Sequence, residues 1–215
     1  MEFFYFMIIT YHGLEFFKIQ FGDIIVAFNP PSKESKFKSS RFGADIVLIS
    51  LNHEDFNGSD TLSYGDKMPF VINGPGEYEI KNIFVKGFFS TSSYKDKKIN
   101  TIYFLKLESM NICFLGALGS ADLSQEIKEK MDDIDILFVP IGNKEVLDST
   151  DAYKLAVKLQ PKIIIPMHYS DDKDPCLKTF LSEEGIKNLE PLDKLTLKRK
   201  DLVNKDGEIV VLAQK

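Results

Sequence analysis

The chain has 215 residues, is 44% hydrophobic and 27% charged, and carries a net charge of −5, the proportions of a soluble globular protein long enough to bury a full core. The negative balance leaves no electrostatic footprint for nucleic acid or an anionic membrane, and with arginine only at Arg41 and Arg199 planar bidentate phosphate recognition has little to work with. Cys113 sits in an apolar run and Cys176 at a helix start, contexts that argue against a disulfide framework and for a reducing, cytoplasmic setting.

The first 50 residues read mostly as strands. FFYFMIITY, EFFKIQF and DIIVAFN are rich in Phe, Ile and Val and are broken at His12-Gly13 and Gly22-Asp23, as strands separated by turns should be. The opening MEFFYFMIIT carries Glu2 and no basic flank, so it reads as a first strand, not as a signal peptide or membrane span. PPSKESKFKSSRFG is a polar loop, and ADIVLIS (44–50) is a continuous apolar run suited to a buried strand. PFVIN, YEIKNIFVKGFF, NTIYFLKLES and MNICFLG follow as further strands, with the lysine-rich KDKK between them expected in a solvated loop.

After Gly119 the period changes. Leu123, Ile127 and Met131 fall four apart, which puts one apolar face on a helix that Ser120 is placed to cap. DILFVPIG is a buried strand, DSTDAYKLAVKLQP a helix ended at Pro161, KIIIPMHY another buried strand, and DPCLKTFLSEEG a helix with Pro175 in its first turn and Gly185 past its end. ADIVLIS and IDILFVP (134–140) resemble each other, an acidic residue leading into an apolar run. Strands first and strand–helix alternation later predict one α/β domain over 1–215 with helices outside.

Ligand chemistry in such folds gathers where buried strands end in loops. The ends here are SLNHEDF, LGALGS, PIGN and PMHY. A mononuclear zinc site needs three protein ligands and an open position for water, and His53, Asp55 and His168 form the trio of suitable type. Metal-free nucleophilic catalysis finds no GxSxG elbow or Cys–His–Asn pattern. Glu77 and Glu79 share a strand face, where salt bridging is expected.

The stretches NGPGEYEIKNIFVKG (73–87), NTIYFLKLESMNICFLGALG (100–119) and LDSTDAYKLAVKLQPKIIIPMHY (147–169) resemble the metallo-β-lactamase fold. They are most similar to its branch of zinc-dependent hydrolases related to the ascorbate-phosphate lactonases. The resemblance implies a four-layer αββα sandwich built from two similar halves, with a metal site at the rim between the sheets. It also implies ligand positions, and many have changed. The HxHxDH motif of the family stands here as Leu51, Asn52, His53, Glu54, Asp55 and Phe56. A further histidine position falls at Ser92, the bridging aspartate of LGDLG is Ala117, and the last histidine is retained as His168. The usual GHS turn is GLE at 13–15, and the acidic residue usual before Pro30 is Asn29.

Ligand positions 51, 56, 92 and 117 have therefore lost their donors, while 53, 55 and 168 keep them. Carboxylates gathered for a metal pair are costly without it, so the replacements read as a set in which Leu51 and Phe56 fill the vacated space. The expected function is that of a non-catalytic protein with a degenerate metal site and no cofactor, binding an unidentified protein or small molecule. The alternative is a hydrolase of an ester, lactone or phosphodiester using one zinc ion on His53, Asp55 and His168. The Phe-rich segments allow self-association.

Overall fold

The structure is a computed structural model that describes residues 6–96, 99–131 and 133–215. The strand-rich stretch over 7–72 forms one sheet. Its strands are β1 (Met7–Tyr11), β2 (Phe17–Phe21), β3 (Ile24–Phe28), β4 (Ile46–Leu48) and β5 (Phe70–Ile72), with a late strand, Leu195–Leu197, closing the β1 edge. The second sheet takes β6 (Gly76–Ile80), β7 (Ile83–Thr91), β8 (Ile99–Leu107), β9 (Met110–Phe114), β10 (Ile136–Pro140) and β11 (Ile163–Met167), edged by Glu208–Ile209. Residues 1–5 of the expected first strand lie outside the described residues.

YEIKNIFVKGFF, expected as one strand, is a hairpin. Lys81 and Asn82 both adopt positive φ (53° and 61°) and reverse the chain between β6 and β7, the tight turn whose twist suits antiparallel strands. Glu77 bonds Lys86 across that hairpin at 2.7 Å. The similar segments at 44–50 and 134–140 play matching roles. Asp45 accepts from the Ile25 amide at 2.9 Å and precedes β4, which runs parallel to β3. Asp135 accepts from the Asn111 amide at 2.8 Å and precedes β10, parallel to β9. The internal repeat is thus structural.

The sheets face each other across an aromatic seam, where Phe28 stacks on Phe114 with centroids 4.4 Å apart and Phe17 meets Phe138 edge-on at 4.8 Å. Such pairs contribute about 0.5–1.5 kcal/mol each beyond the area they bury. Helices α1 (Gln125–Lys130), α2 (Ser149–Leu159) and α3 (Pro175–Glu183) belong to the second half. Ser124, not Ser120, caps α1, because the Ser120 hydroxyl is taken by the Asp122 amide in the preceding turn. α2 starts on Asp148, whose carboxylate accepts from the Asp151 amide, and ends at Gln160 in left-handed conformation; α3 starts on Asp174 with Pro175 at its first position. Against the other sheet, Phe16, Ala27, Val47 and Ile49 are covered by Phe42 and Leu62 from the polar loop and a short 3-10 turn. The architecture is the expected α/β sandwich, with its helical cover on one side and a loop cover on the other. Among the described residues no helix is long and apolar enough to cross a membrane.

Candidate metal-site remnant at the rim

The loop after β4 carries Leu51 to Phe56, and the loop after β7 approaches it from the second sheet. Leu51, Phe56 and Ala117 are buried and form one apolar cluster with Tyr94 and Val146. Sequence reading anticipated the first three at this place and missed Tyr94. Its ring packs edge-on against Phe56 at 4.8 Å, His53 at 5.3 Å and His168 at 5.5 Å. Ser92 is buried beside it and accepts from the Tyr94 amide at 3.1 Å.

Asp55 is the charged centre of this cluster. One carboxylate oxygen accepts from the Ser35 hydroxyl at 2.5 Å, and the other from the Tyr94 hydroxyl at 2.6 Å and the Lys95 ammonium at 2.7 Å. Burial opposes ionisation here, but the bonds from Lys95, Ser35 and Tyr94 outweigh it and hold the carboxyl below its usual range. Burial and the bond to Asp55 push the Tyr94 hydroxyl well above its usual value, so it stays a donor. Lys95, expected in a solvated run, instead lies 5.0 Å over the Tyr94 ring with its head on Asp55. His53 keeps to its own loop, where its Nδ1 lies 3.2 Å from the Asp55 amide and 3.3 Å from the Asp55 carboxylate.

His168 ends β11 in a left-handed conformation (φ 67°), a strained state for a non-glycine residue that its surroundings must enforce. Its amide donates to the Leu14 carbonyl at 2.6 Å and its Nδ1 lies 2.8 Å from Glu15 Oε1. Gly142 permits this placement, since a Cβ there would meet His168 Cδ2 at 2.2 Å. Glu15 is fully buried and its second oxygen accepts from Asn29 Nδ2 at 2.9 Å; that amide also donates to Ser50 at 2.8 Å. The carboxylate thus stands at 15, across from the amide at 29. Burial disfavours the imidazolium, but Glu145 and Glu15 raise the His168 pKa above its usual value; Glu145, 4.0 Å from Nε2, acts through space.

The structure brings His53 and Asp55 together and sets both histidines against the Tyr94 ring. Among the described residues no three His, Cys, Asp or Glu side chains are grouped to hold a metal ion, and the Asp55 oxygens already accept from three protein donors. The residues as arranged therefore do not fit the metal that this kind of rim implies. Ser35 and Tyr94 escaped sequence reading, Glu15 was noted only within the changed GLE turn and Lys95 only within a solvated run, because each is an ordinary loop residue until the loops meet.

The family model described as the beta-lactamase superfamily domain matches residues 8–168. A UPF0173 metal-dependent hydrolase of Bacillus cereus is 25% identical over 197 residues, covering 76% of this chain and 86% of that protein. One from Listeria innocua is 24% identical over 216 residues, covering 84% and 94%. Among solved structures, a Thermotoga maritima protein of the metallo-beta-lactamase superfamily, described as a Zn-dependent hydrolase, is 25% identical with a TM-score of 0.74, covering 97% of this chain and all of that one.

Proposed function

Since the chain belongs to the beta-lactamase superfamily, we propose that it keeps the sandwich of that family while its rim serves as a metal-free binding site for a small molecule or a protein partner. The observation that carries this reading is the saturation of Asp55 by Lys95, Tyr94 and Ser35. An ammonium group neutralises the carboxylate where a cation would otherwise be required, and a phenol ring fills the space between the histidines. The acidic balance of the chain favours partners other than nucleic acid or anionic membranes, and the free Cys113 and Cys176 support a cytoplasmic setting.

A second reading, a metal-dependent hydrolase of an ester, lactone or phosphodiester, is the one that the names of the relatives favour. It requires His53, Asp55 and His168 to leave their present partners and converge within about 2.0–2.2 Å of one ion. Elemental analysis of protein produced without a histidine tag in zinc- and iron-supplemented medium separates the two. The metal-free reading expects well under one metal per chain and no zinc uptake on titration; one tightly held metal per chain reverses the conclusion.

A further inference from the structure

His12 takes no part in the rim cluster, yet ring packing and two side-chain contacts hold it in place. It sits at the end of β1, and its ring is packed against Phe16 at 4.8 Å and Phe42 at 5.6 Å. Its Nε2 lies 3.4 Å from Thr10 Oγ1, and its Nδ1 lies 2.8 Å from Ser40 Oγ. Ser40 comes from the polar loop 28 positions away, so folding creates the pair. Both residues are half-buried and reach solvent.

We propose that Ser40 and His12 form a nucleophile–base pair that attacks small carboxylic esters without a metal. A hydroxyl within hydrogen-bond reach of an imidazole that is itself oriented by a third group is the arrangement that activates serine in unrelated folds. When Thr10 accepts from a protonated Nε2, Nδ1 is free to take the Ser40 proton. The walls of Phe16 and Phe42 keep the ring in that plane. Burial, with the Lys18 and Lys215 ammonium groups nearby, pushes His12 down to about 4, so the ring is neutral near pH 7.

A cavity of about 510 Å³ is lined by Lys38, Tyr169, Asp171, Asp172, Gln214 and Lys215 among others; Ser40 and His12 are not part of its lining. Lys38 is two residues from Ser40, and the Gln214 amide reaches the His12 carbonyl at 3.5 Å. The volume is that of a small-molecule site, roughly 300–1,000 Å³, and an ester seated there has to extend past Gln214 to meet Ser40.

The reaction balances with water as the sole co-reactant. Ser40 Oγ bonds to the ester carbonyl carbon as its proton passes to His12 Nδ1. The carbon–oxygen bond to the leaving alcohol breaks, and that alkoxide takes the proton back from Nδ1. Water then attacks the acyl-serine, again giving its proton to Nδ1, and Ser40 leaves as the hydroxyl with the acid released. Thr10 is neutral where efficient enzymes place a carboxylate, so the imidazolium formed in each step is poorly stabilised and turnover is slow. The first step is therefore best read with an irreversible reagent.

The test uses the intact chain, held in EDTA, and a fluorophosphonate, which forms an Oγ–P bond as fluoride leaves. One adduct per chain on the peptide bearing Ser40 is expected, with none in Ser40→Ala. His12→Gln should slow labelling by about 10²-fold or more, the usual reach of general base catalysis. If His12→Gln fails to fold, Thr10→Val serves instead; it should slow labelling and shift the imidazole nitrogen resonances away from the Nε2-protonated tautomer. No adduct on folded protein, an adduct elsewhere, an unchanged rate in a folded His12→Gln, or labelling that requires added zinc would each overturn the proposal. The site is separate from Asp55 and His168, so metal binding at the rim leaves this result intact.

Discussion

Replacing Lys95 by methionine asks whether an ammonium group balances the charge at the rim. The Asp55 side chain is 1% exposed and that of Lys95 39%. Methionine keeps most of the stem that lies along Tyr94 but removes the ammonium, leaving the carboxylate with the hydroxyls of Tyr94 and Ser35. Removing one partner of a fully buried ion pair costs about 3–5 kcal/mol. Water reaches Lys95, so screening reduces the loss to about 1–2 kcal/mol, or a Tm lower by about 2–8 °C for a chain of this size. Asp55→Asn in the same background should recover much of the loss, because a neutral amide needs no cation. Urea denaturation of the wild type, both single variants and the double variant closes the cycle, and EDTA should leave every midpoint unchanged. The reasoning is refuted if Lys95→Met is as stable as the wild type, if the two losses simply add, or if chelation alone lowers the wild-type midpoint.

Phe56→Ala opens a void in the plug formed with Leu51, Tyr94, Ala117 and Val146, and should cost about 3–5 kcal/mol in urea denaturation. Phe56→His restores a donor of the family motif but leaves Tyr94 and Lys95 on Asp55, so calorimetry should detect no zinc binding; micromolar affinity would contradict the plug. Asp45 supplies a pH test. Burial raises its pKa, but the ammonium groups of Lys67 and Lys81 and the Ile25 amide prevail and hold it below the usual range. A carboxyl depressed in the folded state contributes stability that is present above its unfolded pKa of about 3.9 and is lost as pH falls through its folded value. The gap in urea midpoint between wild type and Asp45→Asn should therefore be widest above about pH 5 and narrow below about pH 4. A gap that persists unchanged at pH 3 would refute the assignment.

Much of the framework was legible because it follows from short-range periodicity. β-Branched and aromatic runs such as IIVAF and IIIPM could be buried only as strands in a sandwich. Pro175 at the head of α3 marked a helix start, where its missing amide leaves no donor unpaired. The acid-then-apolar pattern of the repeat was likewise readable, and it corresponds to Asp45 and Asp135 tying neighbouring parallel strands. Where local signals compete, reading failed: Ser120 was expected to cap α1, but its hydroxyl is taken by the Asp122 amide and Ser124 caps the helix. Lys81-Asn82 bends a segment whose composition reads as continuous strand.

The site divides along the same line. Sequence by itself determined which side chains are available, and it marked 51, 56 and 117 as apolar where the family resemblance implies donors. Only the tertiary structure decided their partners. Tyr94 and Lys95 lie 39 and 40 residues from Asp55, Glu15 lies 153 from His168, and Ser40 lies 28 from His12. No periodicity encodes such pairings. They arise where loops from both sheets are pressed together by packing of the shared core, so a lysine in a polar run becomes the counter-charge of a buried carboxylate. Burial creates the demand for that partner, and burial is a property of the assembled fold.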